Sequence, residues 1–103
     1  MKQIKMLVED IQMELEGAEH CAKIATQYKD TDRTLADTYA KMAENKLNHV
    51  GTYHEQAVRM IKEQQAKGVQ VPEGMQAVWD WEHEKQMDKT ARVKSLIAVY
   101  RGN

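Results

Sequence analysis

The feature that most constrains this chain is the near absence of residues that interrupt a helix. Its 103 residues include one proline, Pro72, and five glycines. Between Asp32 and Gly68 the only interruption is Gly51, so about 35 consecutive residues can form a single helix of about 50 Å. The remaining composition is rich in Ala, Glu, Lys, Gln, Met and Leu, which also favours helix. We therefore predict an all-α protein.

Two breaks divide the chain into three predicted helices, at about residues 3–29, 32–66 and 73–101. At the first break, Thr31 or Asp32 can cap the second helix by accepting a hydrogen bond from its free N–H groups. At the second break, Gly68 suits the end of one helix and Pro72 suits the first turn of the next. The whole chain, residues 1–103, is predicted to be one domain.

Apolar residues recur at three- and four-residue steps, the period of a helix. The first stripe comprises Ile4, Leu7, Val8, Ile11, Leu15, Ala18, Cys21, Ala22, Ala25 and Tyr28. The second comprises Leu35, Ala36, Tyr39, Met42, Ala43, Leu47, Val50, Tyr53, Ala57, Met60 and Ile61. The third comprises Met75, Val78, Trp79, Val93, Leu96, Ile97 and Tyr100. The second stripe is too wide for one neighbouring helix, and a further strip of Met6, Met13 and Ile24 indicates another neighbour.

The short second connection determines the predicted topology. About seven residues reach at most roughly 24 Å, which is too short to return along a rod of about 50 Å. The third helix must then run antiparallel to the second, in an up-down-up arrangement. Because three such helices leave apolar surface uncovered, we expect a homodimer or a larger homo-oligomer.

Charge and composition exclude several classes of partner. A net charge of −1 gives no electrostatic reason to bind nucleic acid or an anionic membrane. No apolar run is long enough to span a bilayer, and the charged N-terminus does not resemble a signal peptide. The single cysteine, Cys21, cannot form an internal disulfide, which fits a reducing cytosol. We expect a cytoplasmic protein.

Two ionisable residues interrupt the apolar stripes and mark the candidate site. Glu14 lies in the middle of the first stripe and Lys46 in the middle of the second. Antiparallel packing about the first turn places them at the same height, and His49 follows one helical turn after Lys46. Because charges are rarely buried unpaired, we expect Glu14 and Lys46 to face each other.

The residues around this site resemble a known helical hairpin. The resemblance is carried by Glu14-Leu15-x-x-Ala18-x-x-Cys21 and Ala43-Glu44-x-x-Leu47-x-His49. Over about residues 4–66, the chain is similar to the first hairpin of the ferritin, bacterioferritin and rubrerythrin superfamily. It is also similar to the encapsulated ferritins, which form a four-helix core and a di-metal site from two copies of such a hairpin.

The resemblance implies roles for four positions. Glu14 corresponds to the first metal-binding Glu, and His49 to the histidine of the family's Glu-x-x-His motif. Cys21 occupies the position of a tyrosine, and Lys46 occupies the position of the second metal-binding Glu. A di-iron site needs several carboxylates, so a lysine at this position makes the site degenerate.

Three interpretations of Lys46 follow. Its ammonium can replace the metal and pair with Glu14, which we favour. It can instead extend to solvent along its aliphatic stem. The third interpretation is retained binding of iron or another divalent metal, with Glu14 and His49 as ligands.

Other conspicuous residues have more ordinary interpretations. Glu82 is expected to lie near Val58, far from Lys46, and to pair with Arg59, Lys5 or a neighbouring chain. One of Trp79 and Trp81 is expected in the core and the other at an interface. The three remaining histidines are expected at the surface or core edge, and Cys21 as a buried, inert thiol. The three histidines are His20, His54 and His83. The sequence contains no Ser/His/Asp set and no Cys-x-x-Cys motif.

These observations favour a non-catalytic ferritin-like protein that needs no cofactor and acts through self-assembly or a protein partner, whose identity the sequence does not indicate. The alternative is a ferritin-like protein that binds iron across a dimer, for iron oxidation and storage or for peroxide handling.

Overall fold

The computed structural model describes residues 2–69 and 73–102, including all side chains in these ranges except those of residues 73–75. Within them the regular structure is three helices: α1 (Lys2–Tyr28), α2 (Arg33–Ala66) and α3 (Glu73–Arg101). The predicted bounds differ from these by at most one residue, so the all-helical prediction is confirmed. The predictions for Pro72 and for the side chain of Met75 lie outside the described residues.

Short polar interactions set both ends of α2. The Asp32 side chain accepts a hydrogen bond from the Leu35 N–H at 3.1 Å, so Asp32 caps the helix. At the other end, Gly68 adopts a left-handed conformation with φ of 74°. The N–H of Val69 then bonds back to Gln64 at 3.1 Å, a pattern that ends helices because glycine tolerates positive φ.

Alanines form most of the contact between α1 and α2. The buried members of this alanine seam are Ala18, Ala22 and Ala25 of α1 and Ala36, Ala40, Ala43 and Ala57 of α2. Small side chains let helix axes approach closely, which fixes the relative height of the two helices tightly. Larger side chains complete the contact farther along, where Ile11 and Leu15 pack against Val50.

Helix α3 is anchored mainly through its C-terminal half. Val93 and Ile97 join Ala18, Ala22 and Ala43 in one buried cluster. Tyr100 packs in a second cluster, against Ala25, Ala36 and Ala40. Over residues 76–90, Gln86 is the only buried side chain, and its Nε2 donates to the Val8 carbonyl at 3.1 Å. The N-terminal half of α3 therefore has fewer apolar contacts that hold it in place.

Tyr100 also carries a polar contact at its buried end. Its hydroxyl donates to Asp37. This hydrogen bond lowers the pKa of Asp37. The pKa of Tyr100 is raised, mainly by burial and secondly by the same hydrogen bond. Arg33 and Arg101 lie 5.3 and 6.0 Å from the centre of the Tyr100 ring, within the range of cation–π contact.

Several residues of the predicted stripes are not covered within this chain. Tyr28, Leu35, Met42 and Val78 are exposed, although the periodicity placed them on apolar faces. Periodicity identifies an apolar face but does not show which neighbour covers it, and these four side chains meet no cover within the described chain. The structure extends 56 × 21 × 18 Å, and none of its described helices is long and apolar enough to cross a membrane.

The alanine seam predicts a size limit at Ala43, which is fully buried. Ala43→Leu should lower the free energy of unfolding by about 1–3 kcal/mol, because the extra methylenes force the helices apart. Ala91→Leu, at an exposed position of α3, is the matched control and should change it by less than about 0.5 kcal/mol. Urea denaturation monitored by circular dichroism measures both. Equal effects of the two substitutions would contradict the close approach.

Candidate functional site

The structure brings Glu14 and Lys46 together across the α1–α2 contact. Lys46 Nζ lies 3.7 Å from Glu14 Oε2, so the predicted pairing is present. Their side chains are 21% and 33% exposed, respectively. The pair is therefore partly open to solvent in the single chain. An ion pair of this exposure contributes about 0.2–1 kcal/mol.

His49 is the third member of the group. Its Nδ1 lies 3.4 Å from the same Glu14 oxygen, while the side chain is 60% exposed. A carboxylate only accepts hydrogen bonds, so the ring donates its Nδ1–H in this long contact. Glu14 is therefore the common partner of an ammonium and an imidazole, at the positions that the sequence predicted.

Gly17 provides the space in which Lys46 lies. A Cβ placed on Gly17 would approach Cδ and Cε of Lys46 to 3.1 Å and Nζ to 3.3 Å. The lysine stem thus crosses the α1 backbone at the one position in that turn without a side chain. Sequence reasoning missed this residue. The signal was a glycine in mid-helix, which costs about 1 kcal/mol relative to alanine and calls for a reason.

Cys21 is buried beside this site, as expected. Burial raises the pKa of its thiol, and the nearby charge of Lys46 opposes that rise only in part. A thiol with a raised pKa carries little thiolate at neutral pH, which argues against a nucleophilic role.

Several apolar side chains of α1 and α2 are wholly or partly exposed in the single chain. We call the surface that they form with Glu14, Lys46 and His49 the hairpin face; its apolar members are Met6, Met13, Ile24, Leu35 and Met42. Met13 is 69% exposed and directly precedes Glu14, while Met42 lies one helical turn before Lys46. The strip predicted to meet a second neighbour is therefore open in the single chain, apart from Ile24, which is half-buried.

A second polar cluster links α2 to α3. His54 Nε2 and His83 Nε2 lie 2.9 Å apart, and Trp79 stacks on His83 with 6.0 Å between ring centres. The planes of the two imidazole rings are inclined by 24°, and their centres are 4.9 Å apart. This separation suits an N–H···N hydrogen bond in which one ring donates and the other accepts.

The histidine pair was treated in the sequence as two separate surface or core-edge residues. Both side chains are half-buried, which agrees with that interpretation, but their pairing was missed. The two residues are 29 positions apart, and the predicted topology alone did not specify their rotation about the helix axes. Burial lowers the pKa of His54, and the charge of His83 lowers it further against the opposing effect of Glu55.

The remaining predictions for α3 have mixed outcomes. Glu82 pairs with Lys85 of its own helix at 3.3 Å, rather than with Arg59 or Lys5. Three residues separate the two, a spacing at which helical side chains are neighbours. Trp79 is half-buried, whereas Trp81 is exposed and lies under the ammonium of Lys85 at 3.7 Å. The expected division between the two tryptophans is thus present, and an interface at Trp81 stays a prediction.

The donor atoms present do not fit a di-metal centre within one chain. Over residues 2–69 and 73–102, no group of three or more His, Cys, Asp and Glu side chains is placed to hold a metal ion. Glu14 and His49 supply two donors, and the ammonium of Lys46 stands beside them as a third, positively charged group. A cation of this kind repels a divalent ion at the position where a carboxylate would bind it.

Comparisons with known proteins do not assign the chain to a family. No family model matches it, and neither the curated proteins nor the solved structures give a match. The ferritin-like resemblance therefore depends on the residues of α1 and α2 alone and stays a prediction.

The lowered pKa of His54 predicts that the protein is less stable in mild acid. The folded state favours the neutral His54 ring, and this preference contributes to the free energy of unfolding above the ordinary histidine pKa. The contribution is lost as pH falls through the lower pKa of His54 in the folded state. The melting temperature, measured with a chelator present, should fall between about pH 8 and about pH 5. His54→Gln should reduce this fall, whereas His20→Gln, at an exposed position of α1, should leave it unchanged. Identical pH profiles for wild type and His54→Gln would contradict the prediction.

Proposed function

We propose that this chain is a non-catalytic, ferritin-like helical protein that acts through self-assembly or a protein partner. The observation that carries the proposal is the ion pair between Lys46 and Glu14, 3.7 Å apart, at the place where a ferritin-like site would use a second carboxylate. The ammonium supplies the positive charge that a bound metal would otherwise provide. In this proposal the pair keeps the hairpin geometry of a metal centre without its chemistry.

Self-association through the hairpin face follows from what that face leaves exposed. Isolated apolar residues are common on protein surfaces, but those of this face border one half-buried ion pair. A second copy placed face to face would cover them and produce a four-helix core from two hairpins. It would also exclude water from Glu14 and Lys46, which strengthens their attraction.

An up-down-up antiparallel order of the three helices is part of this proposal. It is supported by contacts that join Asp37 to Tyr100 and His54 to His83, so that residue numbers rise along α2 while they fall along α3. In this arrangement α3 lies on the side of the hairpin opposite the hairpin face and leaves that face free for the second copy. A cytoplasmic location is proposed because Cys21 is the single cysteine of the sequence and cannot form an internal disulfide.

The second candidate is a metal-binding ferritin-like protein whose site forms across the dimer. It is favoured by the contact between His49 and Glu14 at 3.4 Å, which already places two donor groups side by side. Two copies would supply two carboxylates and two imidazoles, accompanied by two ammonium groups. We rank it second because those charges oppose a divalent cation.

The assembly proposal predicts a dimer that depends on the hairpin face. Wild type should sediment as a dimer at micromolar concentration, and Met13→Lys should weaken the dimer at least tenfold, because a buried unpaired charge is costly. Met87→Lys introduces the same change at an exposed position of α3 and should leave the dimer intact. Analytical ultracentrifugation measures all three. A monomeric wild type at these concentrations would remove the dimeric core from consideration.

The metal question is tested by restoring the carboxylate. Lys46→Glu should lower stability without metal, because carboxylates then crowd together, and Fe²⁺, Mn²⁺ or Zn²⁺ should reverse the loss. A metal concentration of a hundred times Kd contributes about 2.7 kcal/mol to the free energy of unfolding. The measurement is melting temperature against metal concentration. All proteins compared carry His54→Gln, which removes the His54–His83 pair as a second place where metal could bind.

Two controls connect the response to this site. Lys41→Glu makes the same charge change at an exposed position of α2 and should give no metal response. Adding His49→Ala to Lys46→Glu should abolish most of the response. If the His54→Gln protein that retains Lys46 gains as much stability from metal as Lys46→Glu does, then Lys46 does not replace the metal, and the second candidate function is favoured.

A further inference from the structure

The His54–His83 pair is the strongest unassigned feature of the described chain. His54 follows Lys46 by eight residues, about two turns farther along α2, and the pair has no part in the proposed assembly. Both rings present their Nε2 atoms to each other at 2.9 Å, from two different helices. Imidazole nitrogens are the donors that zinc and related divalent ions prefer in proteins.

The distance between the nitrogens agrees with joint binding of one ion. A Zn²⁺–imidazole bond is about 2.0–2.1 Å, so two nitrogens on the same ion lie about 2.9 to 3.4 Å apart for angles from a right angle to tetrahedral. The observed 2.9 Å lies at the short end of that range. To bind an ion jointly, both rings must be in the Nδ1–H tautomer, so the ring that donates its Nε2–H in the hydrogen bond moves that proton to Nδ1 through solvent. Each ring must also turn until its Nε2 lone pair points at the ion.

We propose that His54 and His83 chelate one divalent transition-metal ion of the zinc class, which clamps the N-terminal half of α3 onto α2. Water completes the coordination, because the described residues bring no third His, Cys, Asp or Glu donor to the pair. The ion is consequently held less tightly than in a four-ligand structural site, and its open positions allow exchange.

The location of the pair gives the ion a structural consequence. Val93, Ile97 and Tyr100 anchor the C-terminal half of α3, whereas Gln86 is the only buried side chain over residues 76–90. His83 lies within that weakly anchored half. A metal bridge to His54 adds a connection where packing supplies few, and binding that requires the folded arrangement stabilises it.

The surroundings restrict the motion of the two rings. The groove that contains the pair is also lined by Val58, Ile61, Lys62, Gln65 and Trp79. The stack of Trp79 on His83 holds one ring in position. Restricted rings lose less conformational freedom on binding, which raises affinity.

The test is titration of the full chain with ZnCl₂ in a calorimeter. Wild type should bind one Zn²⁺ per chain, and His54→Gln or His83→Gln should each weaken binding about a hundredfold, because a lone imidazole loses the chelate advantage. His20→Gln, at an exposed position of α1, is the matched control and should bind as wild type does. The proposal would be overturned by absence of binding to wild type, by binding that both glutamine variants retain, or by an equal loss in His20→Gln.

Two further measurements locate the ion and distinguish a loss of metal binding from a folding defect. Cu²⁺ bound to the pair should quench the fluorescence of Trp79, so quenching should persist in Trp81→Phe and disappear in Trp79→Phe. Zn²⁺ should also slow amide hydrogen exchange over residues 76–90 and leave residues 93–100 unchanged. Uniform protection of the whole chain, or quenching that depends only on Trp81, would overturn the assignment. Because none of these readings involves Glu14, Lys46 or the oligomeric state, failure here is distinguishable from failure of the proposed function.

Discussion

The close contact between α1 and α2 determines most of what this chain can do. Buried alanines on both helices permit a close approach of the two backbones. This close approach places Lys46 over Gly17 and beside Glu14. A larger residue at either side of the seam would separate the helices and move the lysine away from its carboxylate. The geometry of the candidate site is therefore a consequence of packing, whereas the ion pair itself adds only about 0.2–1 kcal/mol while it is partly exposed.

The two polar clusters differ in what they need to become functional. Glu14, Lys46 and His49 lie on an open face, and a second copy would change their environment more than any ligand. His54 and His83 lie between two helices of one chain and need only an ion. In the two proposals, the first cluster is coupled to assembly and the second to the attachment of α3. The clusters lie about two helical turns apart along α2.

The sequence predicted the helices and the site pairing for physical reasons that are local or nearly so. Scarce helix breakers and an Asp cap define where helices begin and end. The predicted antiparallel packing placed Glu14 and Lys46 at the same height, and the two side chains lie 3.7 Å apart in the structure. The prediction that Glu82 pairs with Arg59 or Lys5 was wrong, because Lys85 lies three residues away on the same helix, where side chains are neighbours. Gly17 was missed because its role is to make room for another residue, which no pattern within α1 reports.

By itself, then, the sequence determined the helical class, the helix bounds and the facing of Glu14 and Lys46, because each depends on the period of a helix and on one short turn. Only the tertiary structure decided which apolar residues are covered, how deeply the ion pair is buried and that His54 meets His83. These depend on the rotation and position of α3 against the hairpin, and they result from many weak contacts made together. Periodicity identifies the faces of a helix but not which neighbour covers each face, so the open hairpin face and the histidine pair became visible only in three dimensions.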